Sequence, residues 1–374
     1  MNVLLYSYCF LPSIGGIEVV SATLAEQLTK AGVNIYIVTE TPSDEKDNFS
    51  YPVYRKPNWK ERIRLVKKSD IVYSNGVSIA LFWYAFFLRK PFVWTLGGYQ
   101  LMCIDGLGWV EGEKAPLTPF LSIVYHFKKR GIVFAIKGGF KLYLKRFIGK
   151  WLVAKNIAIT NWVAHRQPLP RQTVIYNPFP LEKFKVCPKG LNPEFDFLYV
   201  GRLVSEKGVA TLIKAFAELL KDPSFKEKKL LIIGDGNWRD GLTQLARDLK
   251  IEFAITFAGK KTGAELIHLV SLCHIAIIPS EWEEPMGGVA LEMMAAGKNL
   301  IVSKNGGLAE CTGKAALTFT NGNHVELAKC MQRLLTDKKL QQQQLDEAVN
   351  QLRNFNEVEL AGKYLYLYKQ ITHC

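Results

Sequence analysis

Residues 2–39 run in the order strand, glycine loop, helix, strand, and that order constrains the fold more than any other feature. Asn2–Tyr6 is a short apolar run followed by a turn-rich loop with Pro12, Gly15 and Gly16. From Ile17 to Ala31, Val20, Leu24 and Leu28 recur at helical spacing, and Gly32 ends the segment. Asn34–Thr39, NIYIVT, is β-branched and aromatic, as a strand is. Two strands joined through a helix pair in parallel, so helices must cover the faces of the sheet. Ile71–Tyr73, Pro91–Leu96, Ile157–Ile159 and Thr173–Tyr176 read as further strands of this sheet.

The alternation then starts again. Asn177–Phe179 opens a turn-rich linker that runs through Pro188 and Pro193. Strands are expected at Asp196–Val200, Leu230–Ile233, Ile255–Phe257, around Ile275, at Leu300–Val302 and at Ala316–Phe319. Helices are expected at Val209–Leu220, Trp238–Leu249 and Ala264–Leu272. A chain of 374 residues has room for two domains. The reading is α/β: two Rossmann-like parallel-sheet domains, residues 1–177 and 178–355, facing a cleft. A last helix from about Asn356 packs back on the first domain.

The formal net charge of +14 is unevenly spread. Residues 114–181 hold no Asp or Glu, but twelve Lys and Arg. An insertion at about 114–155 carries most of them, mixed with Phe, Tyr, Ile and Leu. Lys137, Lys141 and Lys145 fall on one helical stripe, beside Phe134, Phe140, Tyr143, Phe147 and Trp151. A basic helix with aromatics reads as membrane-surface binding, and the alternative is a core helix with a solvated basic face. Nucleic acid is not expected, because no recognised binding module accompanies the charge. Val77–Leu88 is the most apolar run, but its 12 residues are too few to span a bilayer, which takes about 20. It is expected as one buried or surface-lying helix. The N-terminus lacks the basic region and cleavage site of a signal peptide. Seven cysteines, at 9, 103, 187, 273, 311, 330 and 374, form no C-x-x-C pair and read as reduced thiols of a cytosolic protein.

The chemistry concentrates where strands of the second domain end, which is where open parallel sheets bind ligands. Residues 279–297, PSEWEEPMGGVALEMMAAG, read as loop and helix after a strand. Glu284 precedes a glycine turn and Glu292 lies in the first turns of the helix. Glycines admit a ligand close to the backbone, and a helix N-terminus attracts phosphate. The two carboxylates suit hydroxyl groups of a sugar-like molecule on either side of that phosphate. Glu281 and Glu283 are expected to face solvent. Arg202 and Lys207, in the loop Gly201–Gly208, are either a diphosphate clamp or a solvated basic pair. Gly234–Gly236, Phe257–Lys260 and the Gly306-Gly307 loop with Glu310 are weaker strand-end signals, since glycines there often only turn the chain. Gly15 and Gly16 in the first domain are either a turn or a source of amides for a diphosphate.

Together these pieces resemble the retaining glycosyltransferases of family 4, which have the GT-B fold. The resemblance rests on FLPSIGGIE (10–18), YVGRLVSEKG (199–208), LLIIGDG (230–236), FAGK (257–260), the E-x7-E stretch and GGLAE (306–310), and it covers nearly the whole chain. It implies that Glu284 holds donor-sugar hydroxyls, that Glu292 holds the ribose, and that Arg202 and Lys207 neutralise a leaving diphosphate. The amides of Met286, Gly287 and Gly288 would lie against the donor sugar. Gly15, Gly16, Gly236, Lys260 and Val289 complete the expected donor-binding set. No cofactor and no catalytic metal are implied, and the sequence has neither a D-x-D pair nor H-E-x-x-H.

One position departs from the family. A histidine facing the acceptor is expected after the fourth strand of the first domain, where this chain has Thr95-Leu96-Gly97-Gly98-Tyr99-Gln100. Gly97 stands in its place, and Tyr99 and Gln100 are expected to touch the acceptor; Asp105 and Glu111 read as solvated loop carboxylates. The implied activity is sugar transfer from a UDP- or GDP-sugar to a saccharide or lipid-linked acceptor in cell-envelope polysaccharide assembly. The expected location is cytoplasmic, at the inner face of the membrane. The alternatives are a nucleotide-sugar epimerase of related fold, or a catalytically impaired nucleotide-sugar or membrane-binding protein.

Overall fold

A computed structural model describes residues 1–13, 15–43, 47–186 and 193–372. Cys187, Cys374 and Pro188 lie outside the described residues, and the described cysteines are free. The chain divides into two compact units. One comprises residues 1–108, 115–180 and 355–374, and the other residues 109–114 and 181–354.

The first unit is built on strands β1 (Asn2–Ser7), β2 (Asn34–Thr39), β3 (Val53–Arg55), β4 (Ile71–Ser74) and β5 (Phe92–Leu96). The short antiparallel hairpin β6 (Trp109–Val110) and β7 (Glu113–Lys114) comes next in the chain but belongs to the second unit, unlike the expected division at residue 177. Strands β8 (Lys155–Ala158) and β9 (Gln172–Val174) complete the first sheet, whose order is β3-β2-β1-β4-β5-β8-β9, parallel throughout. Its helices are α1 (Gly16–Lys30), α2 (Trp59–Lys68), α3 (Phe82–Phe87), α4 (Pro119–Arg130), α5 (Ile132–Trp151) and α6 (Asn161–Arg166). Each central strand is buried along nearly its whole length, so it reads as a continuous apolar run rather than an alternation.

Three expectations need correction in this unit. The run Val77–Leu88 is not one helix: only Phe82–Phe87 is helical. Val77, Leu81, Phe82 and Ala85 are buried, whereas Trp83, Phe86 and Phe87 are exposed. Lys145 does not share the solvated stripe of Lys137 and Lys141, which are exposed. Burial, and then the neighbouring Lys141 charge, push its ammonium down to about 8. Strand β3 and helix α2 were not expected at all.

The second unit holds α7 (Glu182–Lys185), β10 (Phe195–Val200), α8 (Val209–Leu219), β11 (Leu230–Ile233), α9 (Arg239–Asp248), β12 (Ile255–Gly259), α10 (Gly263–Ser271), β13 (Cys273–Ile278), α11 (Gly288–Ala295), β14 (Asn299–Ser303), α12 (Gly307–Thr312), β15 (Ala316–Phe319), α13 (His324–Thr336) and α14 (Lys338–Leu352). Its parallel sheet has the order β12-β11-β10-β13-β14-β15. Helix α8 shows how the sequence folds here: Val209, Leu212, Ile213, Phe216 and Leu219 follow the helical period, and all are buried in one core with Phe197, Ile232 and Ile275. The last helix, α15 (Glu357–Thr372), belongs to the first unit, where Tyr364 and Tyr368 pack against Tyr73.

Strand order reverses between β10 and β13 in the second sheet, and between β1 and β4 in the first. Loops at such a reversal diverge and leave a crevice at the strand ends. The loops after β10 and β13 are 201–208 and 279–287.

Candidate active site

The loops of the second unit are bonded backbone to backbone. Gly201 N donates to Ile233 O at 3.0 Å, Leu203 N to Asp235 O at 2.9 Å, and Trp238 N to Leu203 O at 3.0 Å. Glu206 O accepts Glu281 N at 2.9 Å and Trp282 N at 3.4 Å, and Gly307 N donates to Glu284 O at 2.7 Å. This changes the reading of several glycines. A Cβ on Gly208 would lie 2.0 Å from Pro279 O, one on Gly234 1.8 Å from Gly201 O, and one on Gly236 2.3 Å from Leu203 O. At these residues another loop's backbone occupies the space that a Cβ would need. The stretch from Gly307 to Thr312 is helix α12 rather than loop.

Glu284 and Lys207 meet at the centre of this frame. Lys207 Nζ lies 2.7 Å from Glu284 Oε1, with both side chains largely buried at 17% and 12% exposure. The Ser280 hydroxyl donates to Glu284 Oε2. Lys207 Nζ also sits 5.7 Å from the centroid of the Trp282 ring, within cation–π range. Under this pair is Tyr199, whose hydroxyl donates to Arg202 O at 2.8 Å. Burial and the Glu284 charge hold that phenol well above its ordinary range. A carboxylate offers about four lone-pair sites, so Glu284 retains acceptor capacity after these two contacts.

Arg202 is set apart from Lys207. Its guanidinium is 67% exposed and pairs with Glu206 at 3.3 Å, so the two cations are not one prebuilt clamp. Glu281 does not face solvent as expected. Its carboxylate accepts the Thr211 hydroxyl at 2.6 Å, and its backbone is held by Glu206 O. Glu283 is likewise half-buried. Asn321 fastens the same loop, donating to Trp282 O and Asn305 O, each at 3.2 Å, while its Oδ1 accepts Asn305 N at 2.9 Å.

Helix α11 starts at Gly288 with Gly287 as its N-cap and no side-chain cap, which leaves first-turn amides for another acceptor. Met286 and Gly287 are buried, and Gly288 and Val289 are half-buried at this end. Glu292 lies one turn further along. Its carboxyl has no hydrogen-bond partner among the described residues, and burial pushes it up to about 7. It is a partly enclosed acid without a countercharge. Lys260, at the end of β12, is exposed, and the Gly236 amide donates to Asp235 Oδ1 at 2.8 Å.

The hairpin of β6 and β7 also belongs to this unit, which the sequence did not suggest. Trp109 Nε1 donates to Ser205 Oγ at 2.9 Å, two residues before Lys207, and Gly112 faces the Trp238 ring.

In the first unit, Gly15 caps α1 and Gly16 is open to its surroundings. The Glu18 carboxylate folds back over this turn and accepts the Ser13 hydroxyl at 3.0 Å, so an anion reaching these amides would compete with it. Gly97 is exposed, and a Cβ added to it would meet nothing within 4 Å. Tyr99 does not present its side chain to a solute. It is fully buried, and its hydroxyl accepts Trp162 Nε1 at 3.1 Å. Gln100 is half-buried, and its Oε1 has no hydrogen-bond partner among the described residues. Asp105 is not a freely solvated carboxylate, because its Oδ1 accepts Leu107 N at 2.8 Å and Gly108 N at 2.5 Å.

Two doubly wound units with a strand-end site at the reversal define the GT-B glycosyltransferase fold. The protein described as Anabaena Alr3699/HepE in complex with UDP-glucose superposes with a TM-score of 0.76 over 99% of this chain and 100% of that one, at 18% identity. Residues 188–351 match the family described as glycosyl transferases group 1. The chain is 36% identical over 155 residues to an uncharacterized glycosyltransferase, MJ1607, of Methanocaldococcus jannaschii, covering 35% of this chain and 39% of that protein. Over 177 residues it is 34% identical to a glycogen synthase of Mycobacterium tuberculosis, covering 46% and 42%. The chain thus spans about two fifths of the length of these relatives.

Proposed function

We propose that this chain is a retaining, metal-independent glycosyltransferase that takes a sugar from a nucleoside-diphosphate sugar, with UDP- and GDP-sugars as the donor classes to test first. The observation that carries the reading is the largely buried Lys207–Glu284 pair beside the uncapped start of α11, with the unpartnered Glu292 one turn on. Departure of a nucleoside diphosphate concentrates negative charge. A fixed ammonium and oriented helix amides stabilise that charge where little water screens them. Arg202, whose guanidinium is exposed and pairs with Glu206, can turn toward a phosphate as a second cation. Glu284, fixed by Lys207 and Ser280, offers its remaining lone pairs to donor-sugar hydroxyls, and Glu292 offers its carboxylate to the ribose. In the retaining reading the acceptor attacks from the face the diphosphate leaves, so a diphosphate oxygen takes the acceptor's proton.

The acceptor is proposed to be a saccharide or lipid-linked saccharide of the cell envelope, met at the cytoplasmic leaflet. Helices α4 and α5 support this. Phe140, Tyr143, Phe147 and Trp151 are exposed along α5 beside Lys137, Lys141 and Lys150, as an anionic interface requires. No described helix is long and apolar enough to cross a membrane.

A thermal-shift screen of the full chain with UDP-, GDP- and ADP-glucose tests the donor half. One of the three is expected to raise Tm, and Glu284→Ala is expected to abolish transfer from that donor with the fold intact. No shift with any donor, or full transfer by the variant, overturns the assignment.

A further inference from the structure

Helix α3 carries an exposed cluster that the donor site does not use. Trp83, Phe86 and Phe87 lie outward at 40%, 46% and 76% exposure, and their rings touch one another at centroid distances of 5.6–6.4 Å. Arg89 and Lys90 follow after Leu88, with Arg89 exposed and held at φ 53°. No acidic residue occurs between Asp70 and Asp105, so the cluster has no carboxylate in its own segment. Three bare aromatic rings on a helix of six residues are costly to keep in water.

The position of α3 gives the cluster a direction. Its inner residue Phe82 packs on Phe92 of β5 at 5.4 Å, and Phe92 contacts Trp94 at 6.2 Å. Gly149 of α5 packs on the same Trp94 ring, where an added Cβ would lie 2.8 Å away. Side chains two apart on a strand share a face, so α3 and the last turns of α5 cover one face of the sheet. Their outward residues therefore point to the same side: Trp83, Phe86 and Phe87 on α3, with Phe147 and Trp151 on α5.

We infer that α3 is a second contact with an anionic membrane, in which Trp83, Phe86 and Phe87 enter the headgroup boundary while Arg89 and Lys90 remain at its charged surface. The inference rests on the membrane reading of α4 and α5 and adds to it. One basic helix lets a protein rotate about its axis on a bilayer, whereas two elements on one sheet face fix its orientation. The aromatic contact also depends less on ionic strength than the lysine contact does.

The test is co-sedimentation of the full chain with vesicles of phosphatidylcholine and phosphatidylglycerol, at low and at physiological salt. Three proteins are compared: wild type, Trp83→Ser/Phe86→Ser/Phe87→Ser, and Lys137→Glu/Lys141→Glu/Lys150→Glu. Wild type is expected to bind, and the α3 variant to bind about tenfold or more weakly even at physiological salt. Donor thermal shift, which reads the other unit, is expected to be unchanged in both variants. If the lysine variant loses binding and the α3 variant keeps it within twofold, the α3 inference is wrong and the membrane reading stands. Failure of wild type to bind overturns both, whatever the donor assay shows. A wild type that is dimeric by light scattering and an α3 variant that is monomeric would assign the cluster to a second copy of the chain and overturn the inference.

Discussion

Glu292 gives the sharpest quantitative test. Its carboxyl is pushed from the ordinary 4.5 up to about 7 because burial disfavours its charged form. In the unfolded chain it ionises near 4.5. Below that pH both states are protonated, and the residue costs nothing. As pH rises from 4.5 to 7 the unfolded state ionises freely while the folded state resists, so stability falls, and the loss is complete above 7. The gap corresponds to ~3 kcal/mol at most. Glu292→Gln removes the charge and keeps the shape. The variant is therefore expected to match wild type at pH 4.5 but to melt ~5–10 °C higher at pH 8, given the usual dependence of Tm on stability for a domain of this size. Scanning fluorimetry of both proteins across this range measures the effect. The same ionisation links to ligand. Donor hydroxyls that hydrogen-bond the carboxylate favour its charged form, so donor affinity in wild type should rise with pH through about 7. It should be weak and flat in the Gln variant. Equal melting differences at pH 4.5 and 8 would refute the reasoning.

Three further outcomes are expected. Lys207→Met leaves the Glu284 carboxylate largely buried with Ser280 as its one remaining side-chain partner among the described residues, and should cost ~1–3 kcal/mol in urea unfolding as well as transfer activity. Gly208→Ala combines a left-handed backbone (φ 67°) with a Cβ 2.0 Å from Pro279 O. It should lower stability by more than the ~1–2 kcal/mol of the backbone term alone, because the 279–287 loop must shift, and donor binding should weaken with it. Gly97→His adds a side chain in open space without a positive φ, and should leave stability within ~0.5 kcal/mol of wild type. If an acceptor-facing histidine can act there, this variant changes the rate with acceptor without changing donor affinity.

The sheets were legible because buried parallel strands such as Ile71–Ser74 and Leu230–Ile233 are written as unbroken apolar runs between glycine loops. The donor-side motifs were legible as spacing, but their contacts were not. Glu281 sits in the stretch Glu281-Trp282-Glu283-Glu284, where Glu281 and Glu283 read as solvated. Thr211 and Asn321, from 70 and 40 residues away, bond to that loop together with Glu206 and leave it half-buried. Gly208 and Gly236 stand where another backbone comes close, but a lone glycine in a sequence does not say whether a ligand, another backbone or a turn requires it. Lys145 kept the spacing of its neighbours but is half-buried, since periodicity assigns a face without saying what covers it. The run Val77–Leu88 looked like one helix because hydrophobicity alone does not mark where β-branched Val77 and Ile79 precede the first turn. The hairpin at 109–114 had no signal, because two-residue strands carry no pattern.

The backbone bonds from Glu281 and Trp282 to Glu206, together with the Lys207–Glu284 pair, have a consequence for how such a chain can change. The two loops are distant in sequence but move as one part. A graft that replaces residues 279–287 alone, to test the proposed donor site, should fail unless 201–208 is replaced with it. If the proposed donor site is right, donor preference in this chain is expected to change with both loops together rather than one at a time.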